Sequence, residues 1–372
     1  MRGKNLIRGD SGQERRTGRR TGRRTVHAAM VLAVALGTGV ASGSTSEARS
    51  TSKARKATRS RTATPRTWLS GAAGPQAANG SFGTWRRSPV RIGGTWTDTF
   101  EAQTDQWMIC DGPWARWNGP LDLAMGAIFA DRGETWAAAA RGAYTERWTA
   151  ALRRVAACWG HRDQAWLYLR FAHEMNLESS SWAVRRGEEK DFVTAMRLFS
   201  SLRYAIVPRA HLVFSPNDGT DSSLGIDIRT LWPGRDRSGR RVADVYAVDS
   251  YNWWPHVTTA AAFTKKINSR YPNGAPHGIE RHRQLAARLG VPFAVSEWGN
   301  NGTSASGNGG ESAAYIRSFN AWARSHAGNP GKPKPGQLIY EIHFNLWTQF
   351  ALWPGTVQPR TARTYRALTW GR

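Results

Sequence analysis

The stretch QAWLYLRFAHEMN, residues 164–176, is the part of the sequence that decides the fold. Its first half, residues 165–171, is a nearly continuous apolar and aromatic run. Such a run is typical of a strand that is buried on both faces, as in a parallel sheet. Arg170 is the exception, and because a buried guanidinium needs partners, we expect it to pair with a carboxylate inside the fold.

Polar side chains follow this strand at the point where it ends. His173, Glu174 and Asn176 stand directly after the apolar run. In a parallel α/β barrel, the carboxyl ends of the strands carry the chemistry. The alternative is a surface glutamate that begins a helix.

A second stretch has the same organisation. VPFAVSEWGNNG, residues 291–302, begins with a short apolar strand at residues 292–295 and continues into Glu297 and a Gly/Asn loop. Two strands thus each end in one glutamate. Two facing carboxylates, one protonated and one ionised, are the groups that glycoside hydrolysis requires.

The rest of the chain alternates short apolar strands with amphipathic helices, which predicts a parallel sheet. The predicted strands are residues 90–93, 107–110, 122–129, 165–171, 211–214, 242–248, 292–295 and 338–344. Eight strands predict an α/β fold of the (β/α)8 TIM-barrel type, with Glu174 after the fourth strand and Glu297 after the seventh. A doubly wound open sheet is the alternative, but no Gly-rich phosphate loop follows the first strand.

The strings RFAHEMN and FAVSEWG resemble the two active-site motifs of glycoside hydrolase family 26. That family consists mostly of β-mannanases, with some β-glucanases and β-xylanases, and its members are (β/α)8 barrels that hydrolyse with retention. The resemblance covers roughly residue 89 to the C-terminus. It implies that Glu174 is the acid/base and Glu297 the nucleophile of a glycoside hydrolase.

The sequence after the first motif departs from the family pattern. The family often continues with Met-Asn-Gly and an aromatic pair, whereas this chain has Leu177, Glu178 and a serine run, and Trp182 comes later. The resemblance therefore favours β-1,4-mannan as the substrate of an endo-acting enzyme but leaves β-1,3/1,4-glucan and xylan as alternatives. The basic balance of the chain also allows an acidic exopolysaccharide.

Polar and aromatic groups follow several strands, as expected for a cleft that pairs with sugar hydroxyls and covers apolar sugar faces. The predicted substrate-binding residues are His173, Asn176, Trp182, Asn217, Asp249, Tyr251, Trp253, Trp298 and Trp347. The resemblance implies that Tyr251 lies near the nucleophile and that Trp347 floors the −1 sugar. The alternative is that individual rings only pack, since the chain has 19 tryptophans, and that His173 is structural.

No cofactor and no metal are predicted. His173-Glu174 lacks the second histidine, four residues on, that a zinc protease needs, and the other histidines do not cluster at ligand spacing. No Gly-x-Ser-x-Gly elbow is present, which argues against an esterase.

The N-terminal part has a different composition. Residues 1–67 hold 16 of the 52 lysines and arginines but 3 of the 27 acidic residues, and none of the tryptophans. Paired arginines precede an apolar stretch at residues 26–40 and then small residues, which predicts a signal peptide at residues 1–48, of the twin-arginine type, and a secreted protein. Residues 49–80 are predicted to be a disordered basic linker, and residues 81–372 the single catalytic domain.

The positive charge leads to two hypotheses about partners. The linker is expected to associate weakly with anionic cell-wall polymers, and no integral membrane segment is expected in the mature chain. No nucleic-acid partner is expected; the alternative is a basic arm that binds nucleic acid. A further alternative to an enzyme is a barrel that binds polysaccharide without hydrolysing it.

Two cysteines, Cys110 and Cys158, are present in the chain. In an exported protein they are expected either to form a disulfide or to be two buried free thiols.

Overall fold

The computed structural model describes residues 68–219, 224–303 and 308–371. In this part of the chain eight parallel strands form a closed barrel in sequence order, and the last strand pairs with the first. The strands are β1 (Leu69–Ala73), β2 (Gly93–Thr97), β3 (Leu121–Met125), β4 (Leu167–Phe171), β5 (His211–Phe214), β6 (Val245–Asn252), β7 (Phe293–Asn300) and β8 (Leu338–His343). The fold is therefore the predicted (β/α)8 barrel.

Helices cover the outside of the barrel. The α-helices of the described chain are α1 (Pro75–Ala78), α2 (Ser81–Trp85), α3 (Phe100–Asp105), α4 (Trp107–Cys110), α5 (Trp136–Ala140), α6 (Thr145–Trp159), α7 (Glu189–Ile206), α8 (Ala260–Ile267), α9 (Ile279–Leu289), α10 (Ala313–His326), α11 (Trp347–Phe350) and α12 (Pro359–Ala367). Short 3-10 helices occupy Ala130–Arg132, Gln164–Trp166 and Ile228–Leu231. Side chains cap the N-termini of several helices. Thr99 and Thr259 each accept a hydrogen bond from the backbone N–H three residues later, a donor that the helix itself leaves unpaired.

Two hydrophobic layers explain why neither face of β4 is exposed to solvent. Leu167, Leu169 and Phe171 belong to the core between the sheet and the helices, whereas Tyr168 belongs to a second cluster inside the barrel. Because side chains alternate along a strand, Arg170 shares the inner side with Tyr168. All five residues of the strand are buried.

The barrel begins earlier than the sequence predicted. Residues 69–80 were expected to belong to the linker, but β1 is fully buried and pairs with both β2 and β8. Its sequence, LSGAA, consists mainly of small residues with little strand propensity, so the local signal was weak. The boundary at residue 81 is therefore wrong; the linker prediction for residues 49–67 and the signal peptide lie outside the described residues.

A second correction concerns residues 107–110, which form helix α4 and not a strand. A short apolar run cannot be assigned to a helix or a strand by periodicity alone. The sequence thus predicted one strand too many at residues 107–110 and one too few at β1, so the number of strands before Glu174 is unchanged. Glu174 consequently still follows the fourth strand, and Glu297 lies in the seventh.

The two cysteines form a disulfide between the end of α4 and the end of α6. Their Sγ atoms lie 1.98 Å apart and their Cα atoms 5.1 Å apart. The alternative of two free thiols is therefore wrong. No helix among the described residues has the length and apolar character needed to cross a membrane.

The two ends of the described chain meet at the barrel. Trp68, just before β1, and Trp370, after α12, are buried in the same hydrophobic core. A Cβ atom placed on Gly371 would lie 3.0 Å from the carbonyl oxygen of Trp68. The backbone that enters the barrel is thus in contact with the backbone that leaves it.

Candidate active site

Glu174 lies on a sharp turn just after β4. Ala172 and Glu174 have φ values of 55° and 50°, which non-glycine residues rarely adopt. The backbone N–H of Glu174 donates to the carbonyl oxygen of Ser215, after β5, at 2.7 Å. Strained backbone of this kind persists where surrounding contacts fix it, and such strain clusters at active sites. Here it holds the Glu174 carboxyl group at the carboxyl end of the barrel.

The side chain of Asn217 donates from Nδ2 to Oε1 of Glu174 at 2.7 Å. Burial and the charge of Glu297 raise the pKa of Glu174 to about 7, against the smaller opposing effect of this hydrogen bond. Glu174 is therefore a carboxylic acid that is partly protonated at neutral pH.

Asn176 is hydrogen-bonded to the backbone of Asn217. Nδ2 of Asn176 donates to the Asn217 carbonyl at 2.9 Å, and Oδ1 accepts from the Asn217 N–H at 2.8 Å. Both polar atoms of this buried side chain are thus used to fix the backbone of its neighbour. Asn176 thus positions Asn217, and its own contact with a sugar stays a prediction.

Three hydrogen-bond donors converge on Glu297, which lies in β7 and is 5% exposed. Trp96 Nε1 donates to Oε1 at 2.6 Å, and Arg170 Nη1 donates to the same oxygen at 2.8 Å. The hydroxyl of Tyr251 donates to Oε2 at 2.7 Å. The three donors come from β2, β4 and β6, and together they hold the Glu297 carboxyl group in a fixed orientation.

Arg170 is fully buried inside the barrel, and the prediction that it pairs with carboxylates is confirmed. Besides Glu297 it contacts Asp122 through Nε and Asp249 through Nη1, the latter at 2.9 Å. Burial acts to lower the pKa of Arg170, but the three surrounding carboxylates hold it well above its usual value. The hydroxyl of Tyr340 in turn donates to Asp122 at 2.7 Å.

His173 is buried beside Glu174 and lies next to a third carboxyl group of the cleft, Asp98, whose pKa is raised well above its usual value by burial and by the charge of Glu297. Its Nε2 is 3.6 Å from Oδ2 of Asp98, the residue that follows β2. Burial and the charge of Arg170 hold the pKa of His173 well below its usual value, so the imidazole is neutral. Trp182 packs behind it, with ring centroids 5.2 Å apart, and its Nε1 donates to the His173 carbonyl.

Three of the predicted sugar-binding residues are enclosed by protein. Trp298 is 0% exposed, stacks on Phe319 at 3.9 Å and donates to Glu341. Because neighbouring residues in a strand point to opposite sides, the ring beside Glu297 must face the helices. Asp249 is also 0% exposed, bound by Arg170, and Trp182 is 5% exposed. Trp298 and Asp249 have no surface left for a sugar, so their predicted role is wrong; sugar binding by Trp182, which is as exposed as Glu297, stays a prediction.

The aromatic residues Tyr251, Trp253 and Trp347 are brought together on one side of the cleft. Phe350 of α11 links them, since its ring lies 4.7 Å from Tyr251, 5.9 Å from Trp253 and 6.2 Å from Trp347. Trp347 is 55% exposed, which leaves a ring face available to a ligand. These three predicted residues thus form one aromatic wall beside Glu297.

Two residues of the site, Trp96 and Asp98, were missed by the sequence analysis. Both lie at the end of β2, a strand that was placed three residues too early. The alternation of Trp96 and Asp98 after two glycines is the signal that could have identified them. Among the described residues no group of three or more His, Cys, Asp or Glu side chains is arranged to hold a metal ion.

The arrangement pairs one glutamate that accepts three hydrogen bonds with another whose pKa lies near 7. Two carboxyl groups in such different environments can serve as nucleophile and as acid/base in one reaction. The remaining cleft residues offer hydrogen-bond donors, acceptors and aromatic faces.

Comparison with known proteins supports the fold. No protein-family model and no curated protein sequence matches this chain. Among solved structures, a modular endo-β-1,4-mannanase from Cellulomonas fimi superposes with a TM-score of 0.54 at 15% identity, covering 81% of this chain and 70% of that one. The catalytic domain of a family 26 endo-β-1,4-mannanase from Bacillus sp. JAMB-750 gives 0.52 at 15% identity, over 81% and 86% of the two chains.

A glycoside hydrolase family 5 enzyme from Prevotella bryantii, in complex with a xyloglucan tetradecasaccharide, has a TM-score of 0.51 at 11% identity. That alignment covers 80% of this chain and 87% of the other. The chain therefore shares the (β/α)8 fold of family 26 mannanases and of family 5 enzymes.

Proposed function

We propose that this protein is a retaining β-glycanase in which Glu174 is the acid/base and Glu297 the nucleophile. The observation that carries the proposal is the contrast between the two glutamates. Glu297 receives three hydrogen bonds, one of them from Arg170, whereas burial and the charge of Glu297 raise the pKa of Glu174 to about 7. The motif resemblance to family 26 and the shared barrel fold agree with this assignment.

In the first step Glu297 attacks the anomeric carbon and forms a glycosyl ester while the glycosidic C–O bond breaks. Glu174 gives its proton to the leaving oxygen. In the second step a water attacks the same carbon, Glu174 takes the proton, and the ester bond to Glu297 breaks. Because esterification removes the charge of Glu297, it also removes one cause of the raised pKa of Glu174, which suits the change from acid to base.

The proposed substrate is β-1,4-mannan, with β-1,3/1,4-glucan and xylan as alternatives of the same reaction class. The motif resemblance and the mannanases with the same fold support mannan. The charges of the cleft favour a neutral sugar over an acidic one. Arg170, the buried cation of the cleft, is already paired with Asp122, Asp249 and Glu297. It is therefore not free to pair with the charge of an acidic polysaccharide.

Reducing-sugar release from a panel of mannan, mixed-linkage glucan and xylan tests the reaction class. Hydrolysis of one of them, with the β anomer appearing first by proton NMR before mutarotation, is the expected result. A 2-deoxy-2-fluoro glycosyl donor is expected to label Glu297. Initial release of the α anomer, or a label on another carboxylate, contradicts the assignment. If the protein binds a polysaccharide but hydrolyses none, it is a non-catalytic polysaccharide-binding protein.

The role of Glu174 is tested by Glu174→Ala, which removes proton donation to the leaving group. General acid catalysis is worth about 10²- to 10⁴-fold in rate, so polysaccharide hydrolysis is expected to fall by that factor. A dinitrophenyl glycoside, whose leaving group needs no proton, loses much less in the first step, and azide yields a β-glycosyl azide. The exposed Glu178→Ala is the matched control and retains activity. Equal losses on both substrates contradict the acid/base role.

We also propose that the protein is exported, through the twin-arginine route. The arginine pairs and the apolar stretch before residue 41 support this proposal, as does the Cys110–Cys158 disulfide, since such bonds persist in oxidising compartments. The mature N-terminus is expected between residues 41 and 49. Replacing both arginine pairs by lysine is expected to stop export. Full-length protein in the cytoplasm of the unmodified strain contradicts the proposal.

A further inference from the structure

We infer that the outer face of helices α10 and α12 is a binding surface for a flexible polyanion, a linear phosphodiester polymer of the cell wall. This surface lies on the outside of the barrel, away from the cleft, and goes beyond the proposed hydrolysis. It adds an attachment site on the barrel itself to the association expected of residues 49–67.

The last 61 residues of the chain are strongly basic. Between residues 312 and 372 there are eight lysines and arginines but a single acidic residue, Glu341, whereas the whole chain has 27 acidic residues for 52 basic ones. Glu341 is 0% exposed and bonded to Trp298, so it lies beneath the surface that carries the positive charge.

Six exposed cations on α10, on α12 and in the loop after α10 define the basic face. They are Arg317, Arg324, Lys332, Lys334, Arg363 and Arg366. Among the described residues, none of the six charged groups has a hydrogen bond or an ion pair, whereas exposed arginines elsewhere, such as Arg132 and Arg209, pair with carboxylates. The neighbouring Arg360 lies 3.6 Å from Glu311 and is not counted in the basic face.

The two helices lie side by side. Nδ2 of Asn320 in α10 donates to the carbonyl oxygen of Thr369, just after α12, at 3.0 Å. A shallow depression of about 740 Å³ between them is lined by Arg317 and Arg324 on one side and by Ala367 and Thr369 on the other. The two arginines are two helical turns apart, or about 10 Å along the axis. Charges spaced in this way suit a polymer that repeats its charge rather than one small anion.

The basic face extends to the end of the barrel opposite to the cleft. Helices that return between parallel strands run against them, so their C-terminal ends lie at the amino ends of the strands. Arg324 is in the last turn of α10, and Arg366 is next to the last residue of α12. The chain also enters the barrel at this end, at Trp68, after the seven basic and no acidic residues of 49–67. A polymer bound to the basic face therefore leaves the cleft open.

The chemistry of the face favours phosphodiester groups that carry neither bases nor lipid chains. The guanidinium group matches phosphate oxygens with paired N–H donors. The aromatic side chains of the two helices are buried, namely Tyr315, Phe319, Trp322 and Tyr365. The described part of the face thus offers no ring on which nucleic-acid bases stack, and no large apolar side chain that enters a lipid surface. The choice of a cell-wall polymer rests on the proposed export.

The experiment compares two variants that lose the same charge. The basic-face variant combines Arg317→Gln, Arg324→Gln, Arg363→Gln and Arg366→Gln. The control variant replaces four exposed arginines outside the two helices that have no ion pair with described residues, Arg116→Gln, Arg141→Gln, Arg153→Gln and Arg237→Gln. Calorimetry on the mature protein gives the Kd for purified poly(glycerol phosphate) at several salt concentrations.

The slope of log Kd against log salt concentration is the decisive quantity, since each contact with a phosphate of a flexible chain contributes about 0.7 to it. The basic-face variant is expected to lower the wild-type slope by up to about 3, and the control variant by less than about 1. Equal effects of the two variants overturn the inference, because net charge alone would then decide. Tighter binding of a single-stranded DNA of equal charge, lost in the same variant, overturns the choice of partner.

Circular dichroism checks that each variant is folded. If the basic-face variant is not, the pairs Arg317/Arg324 and Arg363/Arg366 are replaced separately. Hydrolysis of a soluble polysaccharide is expected to be equal in the wild type and both variants, because none of the replaced residues belongs to the cleft. The failure of the proposed function is thus distinguishable: a wild type that hydrolyses nothing contradicts the enzyme assignment, whereas the slopes alone decide on the basic face.

Discussion

At the scale of single residues, Glu174 is the group through which pH controls the proposed reaction. Its pKa of about 7 predicts that kcat/KM falls as pH rises above 7, because the acid loses its proton. The Asn217 amide donates to the charged form and so lowers this pKa. Asn217→Ala is therefore expected to move the basic limb of the pH profile to higher pH. Stopped assays between about pH 5 and 10 give kcat/KM of the wild type and of Asn217→Ala. A basic limb that moves to lower pH in the variant would refute the role of the Asn217 hydrogen bond.

The sequence predicted the two glutamates because each is a local signal, a carboxylate at the end of an apolar strand. It could not predict their partners, which come from other strands: Trp96 bonds Glu297 across 201 positions of sequence. Trp298 was assigned to the cleft only because it adjoins Glu297. The alternation of side chains along β7 sends the two residues to opposite sides of the sheet.

At the scale of elements, β1 closes the barrel. A chain that begins at residue 81, the predicted domain start, lacks β1 and leaves unpaired edges on β2 and β8. It is expected to aggregate, or to show no cooperative unfolding transition by circular dichroism. A matched chain that begins at residue 66 keeps the strand and is expected to unfold cooperatively. Equal melting temperatures for the two chains would show that β1 is dispensable.

The elements differ in how far local sequence specifies them. β4, apart from Arg170, and the first three residues of β7 are apolar because both faces of these strands are buried, so the sequence located the start of each within two residues. β1 depends on its neighbours. Only glycine fits at position 71, because a Cβ atom there would lie 2.4 Å from the Ile92 carbonyl oxygen. Such close backbone approach is a long-range property that a five-residue pattern of small side chains does not reveal.

At the scale of the whole molecule, the charge is concentrated before the barrel. The chain carries a net charge of +25, and residues 1–67 hold 16 of the 52 basic but 3 of the 27 acidic groups. If export leaves residues 49–67 in place, the mature protein is expected to elute from an anionic cell-wall polymer at higher salt than a chain that begins at residue 66. Identical elution positions would exclude this segment as the origin of the association.

The contact between Trp68 and Gly371 means that the barrel has no obligatory first strand. A circular permutant that joins residue 371 to residue 68 through a short Gly/Ser linker, and opens between the exposed residues Gly331 and Lys332, keeps every strand pair. It is expected to fold with the same melting profile and the same cleft, because new ends in exposed loops are well tolerated. The order in which the eight strands are synthesised could then be rotated around the ring without moving either glutamate.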